Sequence, residues 1–101
     1  MRAGATGEEI DKIARDYIAR AGYGKNFGHS YGHGIGLEVH EAPSVSHLSK
    51  TEFPEKTIVT AEPGIYLEGK FGVRIEDMCL IKANRAKNLT KMSKNLTVLK
   101  I

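Results

Sequence analysis

The chain has 101 residues, 41% hydrophobic and 27% charged, with a formal net charge of +3. That length holds one domain or a piece of one, of ordinary globular composition and modest stability margin. No apolar run approaches the ~20 residues that span a bilayer, "MRAGATGEE" lacks a signal-peptide core, and the lone Cys79 allows no internal disulfide. This sets aside a membrane span and a disulfide scaffold, and makes a reducing cytoplasm the expected location.

The first predicted element is a helix over residues 7–21. Thr6 and Glu9 form a T-x-x-E capping box, which satisfies amide groups left unpaired at a helix start. Ile10, Ile13, Ala14, Tyr17, Ile18 and Ala21 recur at three- and four-residue spacing. Asp11, Lys12, Arg15, Asp16 and Arg20 form the polar face, and Gly22 is a stop in left-handed conformation. Further on, "TIVTAEPGIYLEGKFGVRIEDMCLI" reads as two strands, 57–67 and 71–82, joined by a turn at "EGKFG". Pro63 and Gly64 interrupt the first of them. "LTKM" and "NLTVLKI" read as two more short strands. The fold class is therefore α+β, one main helix against a mainly antiparallel sheet. A single helix covers one sheet face, so the other is expected to lack cover.

The basic excess lies in "IKANRAKNLTKMSKNLTVLK", which carries six Lys and Arg residues and no acid. These residues are scattered and without an aromatic among them for base stacking. They read as solvated strand edges rather than a nucleic-acid surface. The two "NLT" sequons, at Asn88 and Asn95, are taken as chance without a secretion signal.

Chemistry concentrates in "FGHSYGHGIGLEVHEAP", residues 27–43, with three histidines among four glycines. The glycines disfavour a helix. In an extended segment His29 and His33 share a face, and His40 falls on the other unless a bulge or bend shifts it. Spacing alone leaves open a metal or catalytic cluster and a set of hydrogen-bonded structural histidines. His47, in "SVSHLSK", reads as a surface residue. Glu62 in "TAEPGIY" and Glu76 in "VRIEDM" are carboxylates inside apolar strand sequence, costly to bury unless paired or metal-bound. Arg74 can share a face with Glu76, which also allows a plain Arg–Glu pair. Imidazole with carboxylate suits zinc, manganese, cobalt or iron. Asp77 should face away from Glu76 and be structural, and Cys79 in "MCLI" a small core residue. "GHGIGLEVHE" lacks the ending of a phosphate-binding loop.

Taken together and in order, "GHSYGHGIGLEVHEAP", "TAEPGIY" and "GVRIEDMCLI" resemble the C-terminal part of the pita-bread metallopeptidases. The likeness is to their Xaa-Pro dipeptidase (prolidase) and Xaa-Pro aminopeptidase branch. Methionine aminopeptidases share the "GHGIG…HE" stretch but lack the histidine at the place of His29 and the later "RIED". The resemblance implies hydrolysis of Xaa-Pro bonds in proline-containing peptides by two divalent metals, with manganese, zinc or cobalt as candidates. It implies His33 as the histidine ligand, Glu62 as a glutamate ligand and general base, and Glu76 as the bridging glutamate. His29 and His40 would contact substrate, and Tyr66 and Arg74 would orient the carboxylates.

The sequence departs from the family in one large respect. Two aspartate ligands belong to strands before this helix, and ahead of His33 the chain offers only Asp11 and Asp16, both on the helix's polar face. Residues 1–101 are thus expected to be a single partial domain, the C-terminal portion of a catalytic domain, inactive or nearly so by itself. The alternatives are a non-catalytic binding module and a half-domain that pairs with its own copy as a homodimer.

Overall fold

A computed structural model describes all 101 residues. Helix α1 spans Gly7–Arg20 and starts at the predicted capping box: Thr6 Oγ1 accepts the Glu9 amide at 3.2 Å, and Glu9 Oε2 accepts the Thr6 amide at 2.9 Å. It stops where expected, with Gly22 at φ +91°. A short 3₁₀ turn at Gly24–Asn26 leads into β1 (Gly32–Gly34) and β2 (Glu41–Val45). The remaining strands are β3 (Ile58–Ala61), β4 (Gly64–Leu67), β5 (Phe71–Arg74), β6 (Asp77–Ile81) and β7 (Ala86–Asn88).

Five strands form one antiparallel sheet in the order β2-β1-β3-β6-β7, and β4 and β5 form a separate hairpin. The two predicted long strands are thus each broken, the first at Glu62–Pro63 and the second at Ile75–Glu76. Proline has no amide hydrogen for the ladder, so the interruption at Pro63 has its cause in the sequence. The break at Ile75–Glu76 lies directly across from it. Ala61 pairs with Asp77 before the gap and Gly64 with Arg74 after it, so the register carries through and sets Glu62 opposite Glu76. Pro63 and Ile75 stay joined through the Pro63 carbonyl, which accepts the Ile75 amide at 3.4 Å.

The two strands expected near the C-terminus do not form. Beyond β7 the Leu89 amide still reaches the Met78 carbonyl at 2.8 Å, but no regular element follows. Met92, Leu96, Val98 and Leu99 are exposed there. Strand propensity without a partner strand or a surface to pack on does not hold a strand in place.

The sheet has two different faces. On one, Val45, Val59, Ala61, Cys79 and Ile81 meet Ile10 of α1 with Ala5 and Phe53, and together they make the core. Side chains alternate along strands, so Thr60, between Val59 and Ala61, points to the opposite face. His33 points the same way, because its neighbour Gly34 pairs with Val59. The helix covers only the core face. Its predicted apolar stripe is only partly used: Ile10 and Ile18 are buried, whereas Ile13 and Tyr17 are 68% and 70% exposed. Asp11, expected on the polar face, is instead completely buried.

Candidate active site

The face opposite the core carries a polar cleft of about 480 Å³, lined by His29, Ser30, Gly32, His33, His40, Ser44, Glu62 and Arg74. Five of the residues singled out from sequence meet here. Glycine lets the backbones close up: a Cβ on Gly32 would lie 2.1 Å from the Thr60 carbonyl oxygen, so only glycine lets β1 approach β3 this closely. That approach puts His33 beside Glu62, with Nε2 3.0 Å from Oε1.

Hydrogen bonds fix both partners. The Gly34 carbonyl lies 2.9 Å from His33 Nδ1. A carbonyl only accepts, so Nδ1 carries a proton and Nε2 is the atom turned on Glu62. In a neutral ring Nε2 presents a lone pair to a carboxylate oxygen, an arrangement that a proton or a cation between them stabilises. Thr60, 1% exposed, accepts the His33 amide at 2.9 Å and donates to Glu62 Oε1 at 2.8 Å. Arg74 Nε lies 3.8 Å from Glu62 Oε2. Arg74 therefore serves Glu62, not Glu76 as its spacing suggested. Glu76 is itself exposed and outside the cleft.

His40 joins the cleft through the kind of irregularity that a regular strand would lack. The β1–β2 register slips between His33 and Gly34, and residues 36–40 run through bends. The His33 and His40 rings end with centroids 4.2 Å apart. His29 sits at the other side. Ser30 O is 2.8 Å from its Nδ1, and Tyr66 Oη is 2.8 Å from its Nε2, so Nδ1 donates and Nε2 accepts the phenol proton. Tyr66 thus meets a histidine here rather than a carboxylate.

Glu76 is exposed and not among the cleft residues, although the register places it across from Glu62. No three His, Cys, Asp or Glu side chains converge closely enough to cage an ion. The donor chemistry still suits a divalent cation: an oriented imidazole nitrogen touches a carboxylate, and a second carboxylate stands opposite on the partner strand.

The other expectations sort simply. His47 is exposed. Cys79 is buried, and burial pushes its thiol above the ordinary value. Burial pulls the Asp77 carboxyl upward, but the Lys94 ammonium and the Asn88 amide outweigh this and leave it below the usual range. Lys94 Nζ is 3.0 Å from Asp77 Oδ1, at an angle that makes an ion pair rather than a directed hydrogen bond. Asp11 accepts from Arg15 and from the Tyr31 amide, and Asp16 pairs with Lys12 on the helix surface. Neither aspartate reaches the cleft. Thr60 and Ser44 were not singled out from sequence. The signal for Thr60 was its place two residues before Glu62, on the same strand face.

Comparison with known proteins identifies the family and the fold. The profile of metallopeptidase family M24 matches residues 1–83. The Xaa-Pro dipeptidase of Pyrococcus horikoshii is 52% identical over 95 residues, which is 94% of this chain and 27% of the relative. The solved Xaa-Pro dipeptidase from Bacillus anthracis superposes with a TM-score of 0.95 at 49% identity, covering 98% of this chain and 28% of that one. The X-Pro aminopeptidase from Thermotoga maritima gives a TM-score of 0.94, also at 49% identity, over 97% of this chain and 28% of that one. The chain thus spans little more than a quarter of the length of these relatives. Its helix and mainly antiparallel sheet are part of a pita-bread fold, and the chain belongs to metallopeptidase family M24.

Proposed function

We propose that this chain carries part of the active centre of a two-metal peptidase that cleaves Xaa-Pro bonds, and that alone it turns over little or no substrate. The observation that carries the reading is the His33–Glu62 contact at 3.0 Å, with the Nδ1 proton of His33 held away by Gly34. His33 Nε2 and the Glu62 carboxylate are the metal-holding atoms, with Glu76 as the third donor from across the strand break. Manganese, zinc or cobalt, when bound, supplies Lewis-acid polarisation and a water of lowered pKa. Thr60 holds Glu62 Oε1 in a fixed direction by its hydrogen bond, and the Arg74 charge stands 3.8 Å from Oε2, an arrangement suited to a general base. His40, exposed beside His33, and His29 with Tyr66 flank the cleft, where they can donate to a developing oxyanion or pass a proton. Two donors in contact fall short of a full divalent coordination shell, which supports weak metal binding without turnover. A cytoplasmic setting and a proline-containing peptide belong to the same reading.

Calorimetric titration with Mn²⁺ and Zn²⁺ tests it, on wild type, His33→Ala, Glu62→Ala and Glu76→Ala, with Xaa-Pro hydrolysis assayed on the same samples. Weak binding that each substitution reduces, without turnover, is the expected result. Absence of binding to the wild-type chain would remove the half-site, and measurable hydrolysis would remove the inactivity.

A second reading, an assembling half-domain, rests on exposed apolar surface. Ile13 and Tyr17 on α1, Phe71 and Val73 on β5, and Ile75 just beyond it are all exposed. A homodimer would cover such surface. A monomer by sedimentation at high concentration would discard it.

A further inference from the structure

One polar cluster lies outside the cleft. Asp11, with no exposed surface, accepts two hydrogen bonds from Arg15, at 2.7 and 3.0 Å, and one from the Tyr31 amide at 3.0 Å. The other donors of Arg15 are not spent on the helix. They reach the Phe27 carbonyl at 3.0 Å and the His29 carbonyl at 2.9 Å. The guanidinium also lies 4.4 Å above the Phe27 ring, and that ring meets the His29 imidazole edge-on at 5.2 Å. A planar fork with four of its five N–H groups engaged is held in place, and this geometry is what lysine cannot reproduce.

Residues 27–31 form no helix or strand apart from the approach to β1, and Gly28 loosens them further. Nothing regular therefore fixes His29, yet its ring is held in one tautomer between Ser30 and Tyr66. We propose that Asp11 and Arg15 are positioning residues for the cleft, fixing the 27–31 segment from behind so that His29 presents Nε2 to the Tyr66 hydroxyl. Its importance for catalysis rests on the reading of the cleft as an active centre; the positioning itself does not. The Asp11 hydrogen bond, opposed by burial, raises the Arg15 guanidinium above its ordinary value. Asp11, expected on the helix's polar face, is instead buried and acts on the site through Arg15.

The test reads imidazole tautomers by long-range ¹H–¹⁵N correlation on ¹⁵N-histidine-labelled protein. In wild type, His29 and His33 should both show the Nδ1–H pattern, and exposed His47 an averaged one. In Arg15→Met, which keeps length and removes every donor, His29 should lose its pattern and resemble His47, while His33 keeps its own. Arg15→Lys retains the charge facing Asp11 but lacks the fork, and should give a partial loss at His29 alone. An unchanged His29 pattern in either folded variant overturns the proposal. So does simultaneous loss at His33, or failure of both variants to fold, since either shows that the pair serves the fold as a whole. Addition of Mn²⁺ separates the two readings: if Arg15→Met frees His29 but Mn²⁺ broadens no cleft imidazole in wild type, the positioning stands and the metal-centre reading falls.

Discussion

At the residue scale, the site depends on a few buried polar atoms whose partners are fully specified. Thr60 is the clearest case, since one hydroxyl serves both the His33 amide and the Glu62 carboxylate. Thr60→Val keeps the shape and strands both, and should cost about 1–3 kcal/mol by urea unfolding, whereas Thr60→Ser should recover most of it. Cys79 makes a simpler test. A thiol buried at 6% exposure and raised by that burial should react with a disulfide reagent only when the protein opens, at a rate that rises with denaturant. Asp77 links stability to pH. Its folded pKa lies below the ordinary 3.8, so its contribution is complete above that value and is lost as pH falls through the lower folded one. Asp77→Asn should therefore destabilise at neutral pH, with the gap to wild type closing in acid.

At the element scale, the helix is built from local signals and the cleft from a close approach of strands. The capping box is exposed and local, so Thr6→Ala should lower stability by about 1 kcal/mol without touching the cleft. Gly32 is the opposite case. A methyl group there meets Thr60 backbone at 2.1 Å, so Gly32→Ala must push β1 from β3. Overpacking of this kind costs about 1–3 kcal/mol or more, and here it also separates His33 from Glu62. Metal titration of Gly32→Ala should show loss of affinity in a protein that still folds. The long hairpin from β3 to β6 was readable as two β-rich runs around "EGKFG", and the Pro63 break with it. The facing break at Ile75–Glu76 was not, because nothing in that sequence forbids a strand. It follows from the partner strand losing a donor at Pro63.

At the scale of the whole molecule, only 18 of 101 residues are buried, and the radius of gyration is 14.4 Å, against about 13 Å for a compact domain of this length. A thin molecule of this kind leaves apolar surface in water, and Ile13 and Tyr17 are its most prominent helical part. Ile13→Lys should leave unfolding free energy within about 0.5 kcal/mol of wild type, because the side chain is already exposed. If these faces drive self-association, the same change should shift sedimentation toward the monomer. No helix is long and apolar enough to cross a membrane.

The sequence by itself determined the helix and its caps, the β-rich second half, and a motif set specific enough to place the chain among the pita-bread metallopeptidases. Those signals are local or strictly ordered along the chain, and survive without knowledge of contacts. Tertiary structure alone decided that His40 reaches His33, that Arg74 serves Glu62, that Thr60 joins the site, and that Asp11 is a buried anchor rather than a polar-face residue. Each of these depends on a bulge, a strand break or a partner distant in sequence. The two C-terminal strands failed for the same reason, since a strand exists only where another strand or a packed surface receives it.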